Sequence, residues 1–150
     1  MSFGTLAFYG VNAFKFTNAK GVSRYARHQI LPVADEVAMS DADAAMAAPN
    51  HLMDELPQRI AKGPVKLRQD AQMAKDGDPV NDGSIAWPAD RELIELGTIS
   101  LSKTPVEQVK SQKAPLFNPL LLQAGIEPSA DPVLLARPGA YAVSYGQRAQ

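Results

Sequence analysis

The sequence predicts an α+β fold: strands in two blocks with a helical segment between them, followed by a proline-rich arm and one last helix. Three observations predict it. Runs rich in aromatic and β-favouring residues stand at both ends of the first hundred residues, an alanine-rich stretch with good caps lies between them, and proline recurs through the last third. With 150 residues, 45% of them hydrophobic and 21% charged, the chain falls in the range of a single domain.

Thr5 to Phe16 puts Leu6, Phe8, Phe14 and Phe16 on one parity, the pattern of a strand with one buried face. Asn18 and Gly21 both tolerate positive φ, so the residues from Thr17 to Gly21 read as a turn, and Val22 to Pro32 reads as a second strand. The two runs should make an antiparallel hairpin. Ser40 is a good N-cap for Asp41 to Ala48, whose acids suit a first turn and whose alanines suit a helix body. Pro49 ends that helix and Asn50 caps the next, His51 to Lys62, with Leu52, Met53, Leu56 and Ile60 on its apolar side and Pro57 bending it or moving its start.

Val65 to Ala74 alternates again, and Leu93 to Lys103 is β-rich, so two further strands flank a loop marked by Gly77, Gly83 and Trp87-Pro88. From Thr104 to Pro132, prolines at 105, 115, 119, 128 and 132 favour an extended wrapping segment. Val133 to Arg148 is apolar enough for a buried helix, although Pro138 and Gly139 oppose it by about 3 and about 1 kcal/mol. The expected organisation is one domain: a hairpin in 1–35, a helical insert in 36–63, two strands and a loop in 64–104, the arm in 105–132 and the final helix in 133–150.

Several function classes lose support. Fifteen basic residues balance sixteen acidic ones without a long block of either sign, which argues against nucleic acid or a membrane surface as partner. The absence of cysteine excludes disulfides, thiolate metal sites and cysteine nucleophiles. No run approaches the roughly 20 apolar residues of a membrane span, and no phosphate-cradling glycine spacing occurs. The N-terminus shows neither a basic nor an apolar leader region, so a cytoplasmic location is expected for the chain as written, and a periplasmic one if a leader precedes it. His28 and His51 lie 23 apart on different elements and read as structural or surface histidines. Asp41 and Asp43 are accounted for by the helix dipole.

Arg137 and Tyr141 are spaced i, i+4, which on a helix lays the guanidinium over the phenol oxygen. Taken together with Tyr9 to Ala19, Asn50 to Leu56, Ile60 to Pro64, Asp78 to Asp82, Ile85 to Pro88, Glu95 to Ile99, Gly125 to Ser129 and Asp131-Pro132, all in order, this chain resembles the catalase-related peroxidase subgroup of the haem catalase family.

The resemblance implies the second half of a catalase-type antiparallel β-barrel with a helical insert, a wrapping arm and a C-terminal helix bearing the haem ligand. It implies haem b as cofactor, hydrogen peroxide and an organic electron donor as reactants, and Tyr141 as the proximal iron ligand, the role that tyrosine plays in catalase. A phenol, with an ordinary pKa of about 10, needs positive charge beside it to stay deprotonated at pH 7, and Arg137 supplies that charge. Arg148, two turns further along, corresponds to a basic residue near the haem propionates, and Val11, Phe117 and Val133 to residues that approach the porphyrin. The catalytic distal histidine of the family has no counterpart here, so a catalytic residue is not expected in this chain and its activity alone should be weak. The alternative is a non-catalytic haem-binding or structural remnant. Uncovered strand edges imply self-association or pairing with a separately encoded N-terminal half.

Overall fold

In the computed structural model, which describes residues 1–149, the alternating runs become strands and the capped runs become helices. A 3-10 turn (Phe3–Thr5) is followed by β1 (Phe8–Tyr9), β2 (Phe14–Thr17), β3 (Ser23–Pro32), α1 (Asp41–Met46) and α2 (His51–Lys62). Then come β4 (Val65–Met73), β5 (Leu93–Leu101), α3 (Gln108–Lys113), β6 (Ile126–Pro128) and α4 (Pro132–Arg148). Hydrogen-bonded neighbours in the sheet run β5-β4-β3-β2-β6, with β1 also on β3.

The hairpin forms where its turn residues place it. Phe14 pairs with Ala26 and Thr17 with Ser23 across an antiparallel ladder. The Asn18 side-chain oxygen accepts the amides of Lys20 and Val22 at 2.9 and 3.0 Å, closing the loop. The expected single strand from Thr5 to Phe16 is interrupted, however. Tyr9 pairs with Gln29 and Phe14 with Ala26, so the four residues from Gly10 to Ala13 face only two on β3. The two surplus residues form a bulge. Gly10 fits there because its amide donates to the His28 carbonyl at 2.8 Å, and a Cβ would lie 3.1 Å from that same oxygen.

On the other side of β2, Phe14 to Phe16 pair with Pro128 to Ile126 of β6. Gly125 opens β6 at φ +86, and any Cβ there would come within 2.9 Å of the Thr17 carbonyl oxygen, so only glycine fits comfortably. The register of β6 fixes where the chain enters α4, four residues after Pro128.

The described chain divides into two compact units. One holds Met1–Tyr9, Gln29–Asp70 and Glu95–Pro105. In it the Ser2 and Thr5 side chains cap the 3-10 turn, and Val65 and Leu67 are buried while Lys66 and Arg68 are exposed, the alternation read from β4. The other holds Gly10–His28, Ala71–Ile94 and the chain from Val106 onward. Its core gathers Ala26, Ala71 and Met73, with Phe16 packed on them, and His28 sits between the Phe14 and Phe16 rings at 6.0 and 5.7 Å.

Three further expectations change. The arm is not wholly extended: Gln108–Lys113, within a proline-free run, closes a six-residue helix, and β6 joins the sheet. Pro57 lies inside α2 without ending it, while Asn50 stands at the N-cap position with no side-chain hydrogen bond and no residue of α2 is buried. The last helix runs through Pro138 and Gly139 to Arg148, yet it is not a buried helix, because Leu134 alone of its residues is buried. Gln150, the end of the expected final segment, lies outside the described residues.

Candidate functional site

Asp131 starts the site. Its Oδ1 accepts the amides of Val133 and Leu134 at 2.8 and 3.4 Å, an N-cap on α4 that Pro132 supports by needing no donor partner. Its Oδ2 accepts from the Asn12 side-chain amide at 2.9 Å. Asn12 sits in the bulge, which turns it out of the β alternation, and its carbonyl oxygen accepts from Arg137 Nη1 at 2.7 Å. Nε of Arg137 donates to the Tyr141 hydroxyl oxygen at 3.0 Å and Nη2 donates to the same atom. A guanidinium only donates, so the chain of bonds fixes the Asn12 amide orientation and makes the phenol oxygen an acceptor. Three of the four members come from one helix and its cap; the fourth comes from the bulge.

Two concave surfaces meet at Arg137. A cavity of about 700 Å³ is lined by Val11, Asn12, the loop from Asn81 to Ser84, Asp131, Val133 and Arg137. A smaller one, about 310 Å³, is lined by Phe117, Asn118, Pro119, Arg137 and Tyr141. Val11, Phe117 and Val133 are 52%, 62% and 68% exposed, so none is a core residue here. The structure thus brings five of the six expected cofactor-binding residues to these two surfaces. The sixth, Arg148, lines neither: Nη1 and Nη2 donate to the carbonyls of Gln112 and Pro115, both at 3.1 Å, tying α4 to the arm.

Neither histidine lines these surfaces. His51 Nδ1 meets the Ala48 carbonyl at 2.8 Å, and burial among aromatic rings holds the His28 pKa below its ordinary value. Among the described residues no cluster of three histidines or carboxylates could hold a bare metal ion. A single phenol oxygen backed by a cation, among exposed apolar side chains, suits a metal whose other positions are already filled by a flat macrocycle.

Asn12 and Asp131 stood out in the sequence only as members of motifs, and Arg27 not at all. A signal existed for Asn12 and for Asp131. Gly10 interrupts the alternating run just before Asn12, and Asp131-Pro132 is an N-cap followed by a first-turn proline. Arg27 gave no signal, since an arginine in a strand usually faces water.

Solved catalases share this fold. A fungal catalase matches with TM-score 0.86 at 24% identity, and catalase A of Saccharomyces cerevisiae with 0.84 at 23%, each over 98% of this chain and 32% of its own. The fold is that of a catalase segment. The catalase family model matches residues 1–149. Two catalase-related peroxidases, from Synechococcus elongatus and Mycolicibacterium paratuberculosis, are 35% and 34% identical over 98% and 95% of this chain. The chain belongs to the catalase family. It spans 43% and 45% of the length of those two relatives.

Proposed function

We propose that the chain is the proximal part of a catalase-related haem peroxidase acting on hydrogen peroxide, with Tyr141 as the ligand to the iron of haem b. The observation that carries this reading is the Arg137–Tyr141 pair, whose phenol oxygen accepts from two guanidinium nitrogens beside exposed apolar side chains. Bound haem would supply the redox chemistry toward peroxide and an organic donor.

The chain's own residues do the rest. Arg137 stabilises negative charge on the phenol oxygen through charge-assisted bonds. Asn12 holds the guanidinium from behind, and Asp131 holds Asn12, so the pair is oriented by residues that are themselves 7% and 2% exposed. Val11, Val133 and Phe117 offer the macrocycle apolar contact. Arg148 is the residue proposed for the propionates; its two terminal donors rest on the carbonyls of Gln112 and Pro115, and a carboxylate would add a full negative charge opposite the guanidinium.

A second reading, haem binding without turnover, draws support from the histidines, since neither His28 nor His51 lines the two surfaces and so neither is placed as a proton shuttle there. Such a shuttle contributes roughly 10²–10⁴-fold in rate. Partners are proposed as a second copy of the chain or the remaining part of a catalase-family protein.

Titrating the chain with haemin and following the Soret band separates these readings. The peroxidase reading expects a saturable band and peroxide consumption faster than the same concentration of free haemin. Binding with no rate advantage would leave the non-catalytic reading, and no band would sink both.

A further inference from the structure

Arg27 is a cation on β3 that is only 5% exposed. Its partners lie on one segment. Nη2 donates to the carbonyls of Pro79 and Asp82 at 3.1 and 2.9 Å, and Nη1 to that of Ile85 at 2.7 Å. The guanidinium lies 4.3 Å from the centre of the Trp87 ring, and Trp87 Nε1 donates in turn to the Pro79 carbonyl at 3.1 Å. A planar fork stacked on an aromatic face can gather three carbonyls of one loop; a lysine ammonium lacks both the plane and the reach. Desolvation pulls the Arg27 pKa below its ordinary value, with Asp131, Asp78 and Asp82 opposing, so the burial of this charge is not free of cost.

The loop so gathered forms part of the wall of the larger cavity. Asn81, Asp82, Gly83 and Ser84 line it together with Val11, Asp131, Val133 and Arg137. Asn81 Oδ1 also accepts the Ala130 amide at 2.9 Å, one residue before the Asp131 cap. Gly83 packs so closely that a Cβ would meet the Val11 carbonyl oxygen at 3.3 Å and Asp131 Oδ2 at 3.5 Å. The loop has little room to move without losing that wall.

We propose that Arg27 is a positioning residue that holds the 79–85 loop as the wall of the ligand cavity. It never lines the cavity itself and acts through Asn81 to Ser84. The ligand half of this proposal rests on the haem reading above; the loop half does not.

The test uses the 150-residue chain with Arg27→Gln and, because a buried arginine can be needed for folding, Arg27→Lys, which keeps the charge without the planar fork. Hydrogen exchange across residues 79–87 and haemin affinity are both measured. Holding the loop predicts faster exchange there in both variants, larger for Gln. It also predicts haemin binding weakened by roughly tenfold or more, the scale typical of lost supporting groups around a bound metal. The absorption band of bound haemin should not move, because Tyr141 is untouched. Unchanged exchange in a folded variant would overturn the proposal, and so would faster exchange with unchanged affinity. If the wild-type chain takes up no haemin, the haem reading fails by itself, and the exchange difference alone upholds or overturns the hold of Arg27 on the loop.

Discussion

Asp131 uses its two carboxylate oxygens for different tasks, one capping α4 and the other holding Asn12, which in turn holds Arg137. Replacing it by alanine removes a helix cap and leaves the buried Asn12 amide without that acceptor. Together these should cost about 2 kcal/mol or more. Asp131→Asn keeps an oxygen for the cap and should cost less. Urea denaturation of the two variants checks the order; equal losses would mean that the cap carries no weight. Arg137 then has its Nη1 partner loosened as well, so haemin affinity should fall with stability in the alanine variant.

At the scale of elements, the loop between β4 and β5 is organised by charge. Arg91 donates to both carboxylate oxygens of Asp78 at 2.8 and 2.9 Å, and with the Lys75 amide it lowers the Asp78 pKa to about 2. A carboxylate depressed in the folded state stabilises fully above its unfolded pKa of about 3.9, and that stabilisation is lost as pH falls through about 2. Thermal melts between pH 5 and pH 2 should therefore fall less steeply for Asp78→Asn than for the wild type, and parallel curves would show that the pair does not couple to folding. Asp78, Pro79 and Trp87-Pro88 were legible in the sequence as a loop, but the arginines that organise it were not. Arg27 and Arg91 are separated by 64 residues, and only the tertiary fold brings them onto one segment. The strands at β3, β4 and β5, and α2 to the residue, followed from alternation and from breakers that act locally. The bulge did not, because its surplus residues are defined by register against β3, which no local pattern records. Arg137 and Tyr141 were legible as a pair because a helix places i and i+4 together, even with Pro138 between them.

For the whole molecule, the sheet order leaves the nine-residue β5 at one end. Leu93, Ile94 and Leu96 on it are 46%, 39% and 49% exposed, so the strand that ends the sheet among the described residues also shows apolar side chains. Such an edge invites pairing, and self-association of the isolated chain is the expected outcome. Light scattering coupled to size exclusion should find species larger than the 16.1 kDa chain. Leu96→Lys, a charge of the kind natural edges carry, should shift the population toward monomer. A wild-type chain that is monomeric at tens of micromolar would contradict the role given to this edge.

The central claim is that Tyr141 holds the iron, and the absorption spectrum of the haemin-loaded chain beside that of Tyr141→Phe tests it most directly. Phenylalanine keeps the ring and removes the oxygen that Arg137 addresses. Ligation by Tyr141 predicts that the ferric spectrum changes while circular dichroism stays the same. Superimposable spectra from two folded, haemin-loaded proteins would contradict it.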